Sequence, residues 1–415
     1  MLSAVKYMTA KLNIEYGSVF GFYWMFFAVM SSFCSAYLLS MGYSNSQIGV
    51  ILAAGSLASV IIQPLLADWA DRSRRFYVIR VSAVVAAAML ALELLLCTMK
   101  QQSIVLSVVY VAILALMYST QPLLNATCAK LNETGCNVKF GLGRSIGSIS
   151  YALIVMALGS LVANMGEGVL RTVGIITLVA LVAVILLTDK SFAKAMAQKQ
   201  TTGKESLSAG EKTEKEEAEE INLLQFIKRN GLFALLSAGV VVLYFQNNIL
   251  NNFMLQIIEN VGGDAEDMGR IFSYMAAIEI PGLLFFDKLR ERFGCRKLIV
   301  FSSFAFFCKI LAMYLARSVA MVYVAQTFQL FCFSIFLSAM VAFTDEIMEK
   351  GEAVKGQALF IAATTVAGIF SSVLGGVILD KSGPGLLLLI CVITTFAGAC
   401  VITLLTRMIE KSRQA

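Results

Sequence analysis

Glu93, Arg144, Glu279 and Lys309 each interrupt or border a long apolar stretch of this 415-residue chain. Ionisable side chains at hydrocarbon depth are costly and usually face a bundle interior or a watery path, so each is a candidate functional group. Arg144 offers a planar fork of donors suited to bidentate bonds with vicinal hydroxyls or a carboxylate. Tyr151 lies two helical turns further along the same face, where its ring can stack on a sugar or an aromatic ligand. The competing readings are an Arg144 that snorkels from its helix end and a Tyr151 that only packs. Glu279 and Lys309 each fall roughly ten residues, ~15 Å of helix, from the loop between their segments, so they share a depth and can pair. A carboxylate that alternates between a cation and a desolvated setting ties proton binding to conformation; a fixed ion pair that locks the bundle is the alternative. Glu93 has no motif behind it and reads as structural.

Uncharged polar side chains add a second pattern. Asn247 with Asn251, and Asn248 with Asn252, are spaced i, i+4, with Gln246 beside them. Tyr118, Ser119, Thr120, Gln121 and Asn125 form another group, and Gln326 and Gln329 a third. Such residues glue membrane helices together; converging on one cavity, they suit a neutral polyhydroxylated ligand.

The elements that must position these groups follow from composition. With 58% hydrophobic and 14% charged residues, the chain is too apolar for a surface in water. Stretches of about 20 residues, enough to cross a ~30 Å hydrocarbon core as helix, recur near 19–39, 46–66, 76–98, 103–124, 143–163 and 168–187. A second set lies near 230–255, 267–286, 297–315, 318–342, 355–379 and 384–406. They are too long and too little alternating for barrel strands, which leaves helices. The expected fold is an all-α membrane protein of twelve transmembrane helices. Arg72, Arg74 and Arg75, Lys130 and Lys139, and the run from Lys288 to Lys297 mark alternate loops as cytoplasmic, which puts both termini there as well. That asymmetry explains the net charge of +6, so nothing calls for nucleic acid. No cleavable signal peptide is evident.

Several chemistries are excluded. The chain has no histidine, hence no histidine proton relay, histidine metal ligand or Ser-His-Asp centre. Its nine cysteines form no CxxC pair and imply neither disulfide nor metal. No Gly-x4-Gly-Lys-Ser/Thr loop speaks for ATP-driven pumping. An enzyme is not expected, nor a cofactor.

Residues 188–225 switch to Lys, Glu, Ser and Gly, a composition that cannot bury a core and reads as a charged cytoplasmic linker, partly helical through its Glu/Lys spacing. It separates six-helix bundles at 1–187 and 226–415. The halves repeat: Lys139-Phe-Gly opens a span ending Ala157-Leu-Gly-Ser-Leu-Val162, and Lys355-Gly-Gln opens one ending Val373-Leu-Gly-Gly-Val-Ile378. Pro64 and Pro281 recur at almost the same offset. Repeats of this kind suit two bundles rocking about a central site.

Three segments carry a family resemblance: Gln63-Pro-Leu-Leu-Ala-Asp-Trp-Ala-Asp71, Phe140-Gly-Leu-Gly-Arg-Ser-Ile-Gly-Ser-Ile-Ser-Tyr151, and Ala276-Ala-Ile-Glu279 followed by Lys309. They resemble the major facilitator superfamily, and more narrowly the branch of lactose permease and other oligosaccharide/proton symporters. The resemblance implies two pseudo-symmetric six-helix bundles, with Arg144, Tyr151 and Asn125 holding substrate from one half and Asn247 and Glu279 from the other. It implies that Glu279, with Lys309 beside it, couples protons. The stretch from Asp68 to Arg75 resembles the conformational-lock motif of the superfamily, with Asp287-Lys-Leu-Arg-Glu-Arg-Phe-Gly-Cys-Arg-Lys297 a looser copy; Asp68, Asp71, Arg72 and Asp287 are the implied gating residues.

The chain also departs from that branch. Where the tenth span of lactose permease carries a histidine and a carboxylate, it reads Gln326-Thr-Phe-Gln-Leu-Phe-Cys332. Asn125 stands where a sugar-binding glutamate is expected. A neutralising Asp/Lys pair is replaced by Asn247 and by Thr364 or Thr365, both charges having gone together, as electrostatics demands. The expectation is a proton-coupled importer of a small polar solute, a sugar or oligosaccharide first. It would work as a monomer in the bilayer of a bacterial cytoplasmic (inner) membrane. A nucleoside, aromatic-acid or drug carrier, and a non-transporting solute sensor, remain open alternatives.

Overall fold

The computed structural model describes residues 2–72, 77–202, 223–349 and 352–414, and every regular element among them is helical. The first part comprises α1 (Leu2–Phe27), a π turn (Ala28–Ser32), α2 (Cys34–Ser40), α3 (Asn45–Arg72), α4 (Val78–Leu96), α5 (Ile104–Asn132), α6 (Phe140–Met165) and α7 (Val169–Thr202). The second comprises α8 (Leu223–Arg229), α9 (Gly231–Asn252), α10 (Met254–Glu259), α11 (Ala265–Leu284), α12 (Phe286–Phe293) and α13 (Cys295–Leu315). It continues with α14 (Val319–Gln326), a 3-10 segment (Thr327–Phe331), α15 (Phe333–Ile347) and α16 (Ala353–Gln414).

Among the described residues nine helices are long and apolar enough to cross a membrane, or eleven if two bent pairs each count as one span. The pairs are α1 with α2, bent by 49°, and α11 with α12, bent by 52°. Both figures take α16 as a single helix, although it is two arms merged across Gly383 at φ 73°. Only glycine adopts that left-handed value readily, and Pro384 behind it cannot donate to the preceding turn.

Local chemistry sets several starts. Asp264 opens α11 with a capping box, accepting from the Glu266 and Asp267 amides while Asp267 accepts from its own. Ser103 and Ser318 cap α5 and α14 through their hydroxyls.

The chain forms two compact units, Met1–Tyr43 with Ala54–Lys212 and Ser44–Ala53 with Thr213–Ala415. The first is cored by Tyr16, Phe20, Tyr23, Phe26, Tyr37 and Tyr110, all essentially out of solvent. In the second, the Tyr244 ring of α9 packs against Phe306, Phe336 and Phe360. The helix of the sixth span continues past its apolar stretch into the expected, partly helical linker and runs to Thr202, where side chains beyond 187 are tied down. Asp189 accepts from the Tyr77 hydroxyl and from Arg80, whose ion pair with it spans 3.2 Å, and Ser191 donates to Glu15 at 2.9 Å. Burial and then the Asp189 carboxylate push the Tyr77 hydroxyl pKa up, so it stays a donor. Of the expected linker, residues 203–222 lie outside the described residues.

Candidate functional site

In the first unit two glycine pairs bring α1 and α6 together. A Cβ on Gly17 or Gly21 would stand 2.3 Å from Ile146 Cδ1 or 2.9 Å from Ser150 Oγ. One on Gly143 or Gly147 would stand 2.6 Å from the Tyr16 or Trp24 ring. Reciprocal small-x3-small pairs allow this approach where no hydrophobic force drives helices together. The crossing delivers Arg144 onto Trp24, its guanidinium carbon 4.6 Å from the ring centroid. Tyr151 meets the same indole edge-on at 6.2 Å and bonds Ser32 through its hydroxyl at 2.9 Å. Phe27 packs on Trp24 at 4.9 Å and on Tyr118 at 6.1 Å. Arg144 and Tyr151 therefore do converge, with Trp24 as the shared surface. Asn125 sits exposed on α5.

Glu93 has a partner that spacing did not reveal. Arg171, near the start of α7, approaches Glu93 Oε1 at 3.0 Å and donates to Oε2 at 3.2 Å, with side chains only 7% and 0% exposed. Its guanidinium lies 3.8 Å from the Tyr37 centroid and donates to Met30 Sδ at 3.7 Å. The Tyr110 hydroxyl donates to the Met30 carbonyl at 2.9 Å. The signal was an arginine just inside an apolar stretch, which alone names no partner.

In the second unit Lys309 and Glu279 are joined through a third residue. Lys309, fully buried, donates to Gln329 Oε1 at 2.5 Å, and Gln329 Nε2 donates to Glu279 Oε1. The amide, held on the 3-10 segment, thus presents its acceptor to the cation and its donor to the carboxylate. Asn247 is buried on α9 and is not a member of that chain of bonds. Its neighbours divide: Asn248 donates to the Tyr244 carbonyl and Asn252 to Ser372 Oγ, whereas Gln246 is fully buried with both amide atoms unpartnered.

The implied gating residues are all exposed. Arg72 donates to Asp68 at 2.5 Å one turn away, Asp71 adjoins them at the end of α3, and Asp287 stands in the first turn of α12. Arg74 and Arg75 lie outside the described residues. Among the described residues no group of three His, Cys, Asp or Glu side chains is arranged to hold a metal.

A model of the MFS_1 like family matches residues 16–403, and the chain belongs to that family. It is therefore a multi-pass membrane transporter of the major facilitator type, not an enzyme. The fold is similar to that of the nucleoside transporter NupG, with a TM-score of 0.74 at 14% identity, covering 97% of this chain and 98% of that one. It is also similar to an auto-inhibited POT family peptide transporter (0.71; 9% identity; 97% and 96% covered). A bacterial homolog to the human lysosomal transporter Spinster, inward-facing and unoccupied, is a third (0.65; 14%; 97% and 98%). No curated protein matches the sequence. The family match does not single out the lactose permease branch.

Proposed function

We propose that this transporter imports a small, neutral, hydroxylated ring compound by proton symport, with access alternating between the two sides of a bacterial inner membrane. The observation that carries the reading is the Trp24–Arg144–Tyr151 group. An aromatic surface beside a fork of donors suits a solute with one apolar ring face and a hydroxyl edge. Nucleosides and sugars share that description. The density of rings around Trp24 favours a nucleoside, whose base adds a second flat face, and the likeness to a nucleoside transporter points the same way. The oligosaccharide reading rests on the resemblance of residues 140–151 to a sugar-binding segment.

Competition against uptake of radiolabelled uridine, adenosine, glucose and lactose in proteoliposomes separates the two. Nucleosides should compete and disaccharides should not; a protein that none of them competes for would refute both. Coupling is assigned to Glu279, with Lys309 and Gln329 as the groups that sense its charge. In Glu279→Gln, counterflow should persist while uphill uptake is lost, and accumulation at wild-type level would remove Glu279 from the role. Asp68, Asp71, Arg72 and Asp287 are retained as gating residues on the strength of their exposed helix-end positions, and the basic residues nearby support cytoplasmic termini.

A further inference from the structure

The bend between α11 and α12 in the second unit opens a cavity of about 610 Å³. Phe285, Phe293, Phe301, Leu330 and Phe331 contribute to its wall, and Lys297 is its one charged lining residue. Phe285 and Phe301 are each more than half exposed, an arrangement that in a membrane-spanning chain meets hydrocarbon. A pocket for a polar solute needs several convergent polar groups, and this one has a single ammonium.

The charges around the cavity are not equally available. Arg290 is matched by Glu346 at 2.9 Å and Arg296 by Glu410 at 2.8 Å. Lys297 is exposed and has no ion-pair partner among the described residues. Lys288 and Arg292 lie 5.8 Å and 5.4 Å from the centroids of Phe285 and Phe293, two of the rings that line the cavity. Among the described residues, Lys288, Arg292 and Lys297 thus outnumber the unpaired Asp287 and Glu291 of the same segment, and a net positive charge collects beside an apolar groove.

We infer that this groove binds an anionic phospholipid, with an acyl chain against the phenylalanines and the phosphate at Lys297, flanked by Lys288 and Arg292. Basic pockets at the ends of membrane helices recognise anionic headgroups in this way, and burial of the chain adds a hydrophobic term. A zwitterionic lipid fills the groove equally well but gains less from Lys297. The occupant would also bear on Glu279 and Gln329, since Pro281 follows the one by a turn fraction and Leu330 adjoins the other. That effect rests on the proposed coupling role; the binding site does not.

The test uses the full chain, delipidated in detergent and mixed with equal amounts of phosphatidylglycerol and phosphatidylcholine, with retained lipid counted by native mass spectrometry. Wild type should hold phosphatidylglycerol about five-fold better than phosphatidylcholine, Lys297→Arg should keep that preference, and Lys297→Gln should abolish it. Excess glycerol 3-phosphate, a headgroup without a chain, should fail to displace the lipid. Equal retention of the two lipids, an unchanged preference in Lys297→Gln, or displacement by the bare headgroup would each overturn the site. Uptake in liposomes with and without phosphatidylglycerol reads the coupling effect separately, so its failure leaves the binding result standing.

Discussion

Arg171 closes on Glu93 at 3.0 Å inside the first unit, and both side chains are shielded from water. Removing one member of such a pair leaves a buried charge with nothing opposite it. Glu93→Gln should lower stability by about 3–5 kcal/mol, whereas Glu93→Leu combined with Arg171→Leu should recover most of the loss. Thermal unfolding in detergent reads both, and a Glu93→Gln protein as stable as wild type would mean the pair carries no such weight.

Trp24 is the surface on which Arg144 rests, so its loss should be felt in affinity before turnover. A cation–π contact of ~0.5–2 kcal/mol predicts that Trp24→Leu raises KM by about two- to thirty-fold, with Trp24→Phe in between. Concentration dependence of initial uptake is the measurement; a KM unmoved in Trp24→Leu would remove the ring from the binding group.

Gly147 faces the same indole, and a Cβ there would stand 2.6 Å from Trp24 Cδ1. Gly147→Val should cost ~1–3 kcal/mol and displace Trp24, since an overpacked contact must shift a helix or a rotamer. Gly141, which has nothing within 4 Å of an added Cβ, provides a control: Gly141→Ala should lower neither stability nor uptake.

Gln329 links Lys309 to Glu279, accepting from the one and donating to the other. Gln329→Leu should destabilise the protein by stripping a buried ammonium of its acceptor. Pairing it with Lys309→Met should restore the melting temperature but not uphill accumulation. Accumulation at wild-type level in that double variant would show that the bridge plays no part in coupling.

Much of this site was legible because charges in apolar stretches are rare and each had to go somewhere. The seven-residue spacing of Arg144 and Tyr151 did put them on a shared wall, yet Trp24 was invisible, since one aromatic among many in the first span announces no long-range neighbour. Glu279 and Lys309 were expected at one depth and are joined, but by an amide that a 3-10 segment supplies. Hydrophobic periodicity does not register where a helix tightens for five residues. Glu93 was read as structural without Arg171, because pairing between distant spans depends on packing that no local pattern encodes. The membrane-spanning, all-helical character was legible from the length of the apolar stretches, although twelve were expected and nine to eleven spans stand among the described residues; the run of α7 to Thr202 was not, since its polar tail is held by Tyr77, Arg80 and Glu15.

The π turn at Ala28–Ser32 carries Met30, which receives Tyr110 and Arg171, and Ser32, which holds Tyr151. Each residue of an α-helix advances its face by about 100°, so this widened turn fixes the rotational phase of everything after it, including Tyr37 over Arg171. Losing a single position between 28 and 32 would let the i→i+5 bonds close to i→i+4 and keep α2 in phase, whereas the same loss in the α-helical part of the span has no wide turn to absorb it and would rotate α2 by about 100°, swinging Tyr37 off the arginine. The first span is thus constrained by its count of residues as much as by their kinds.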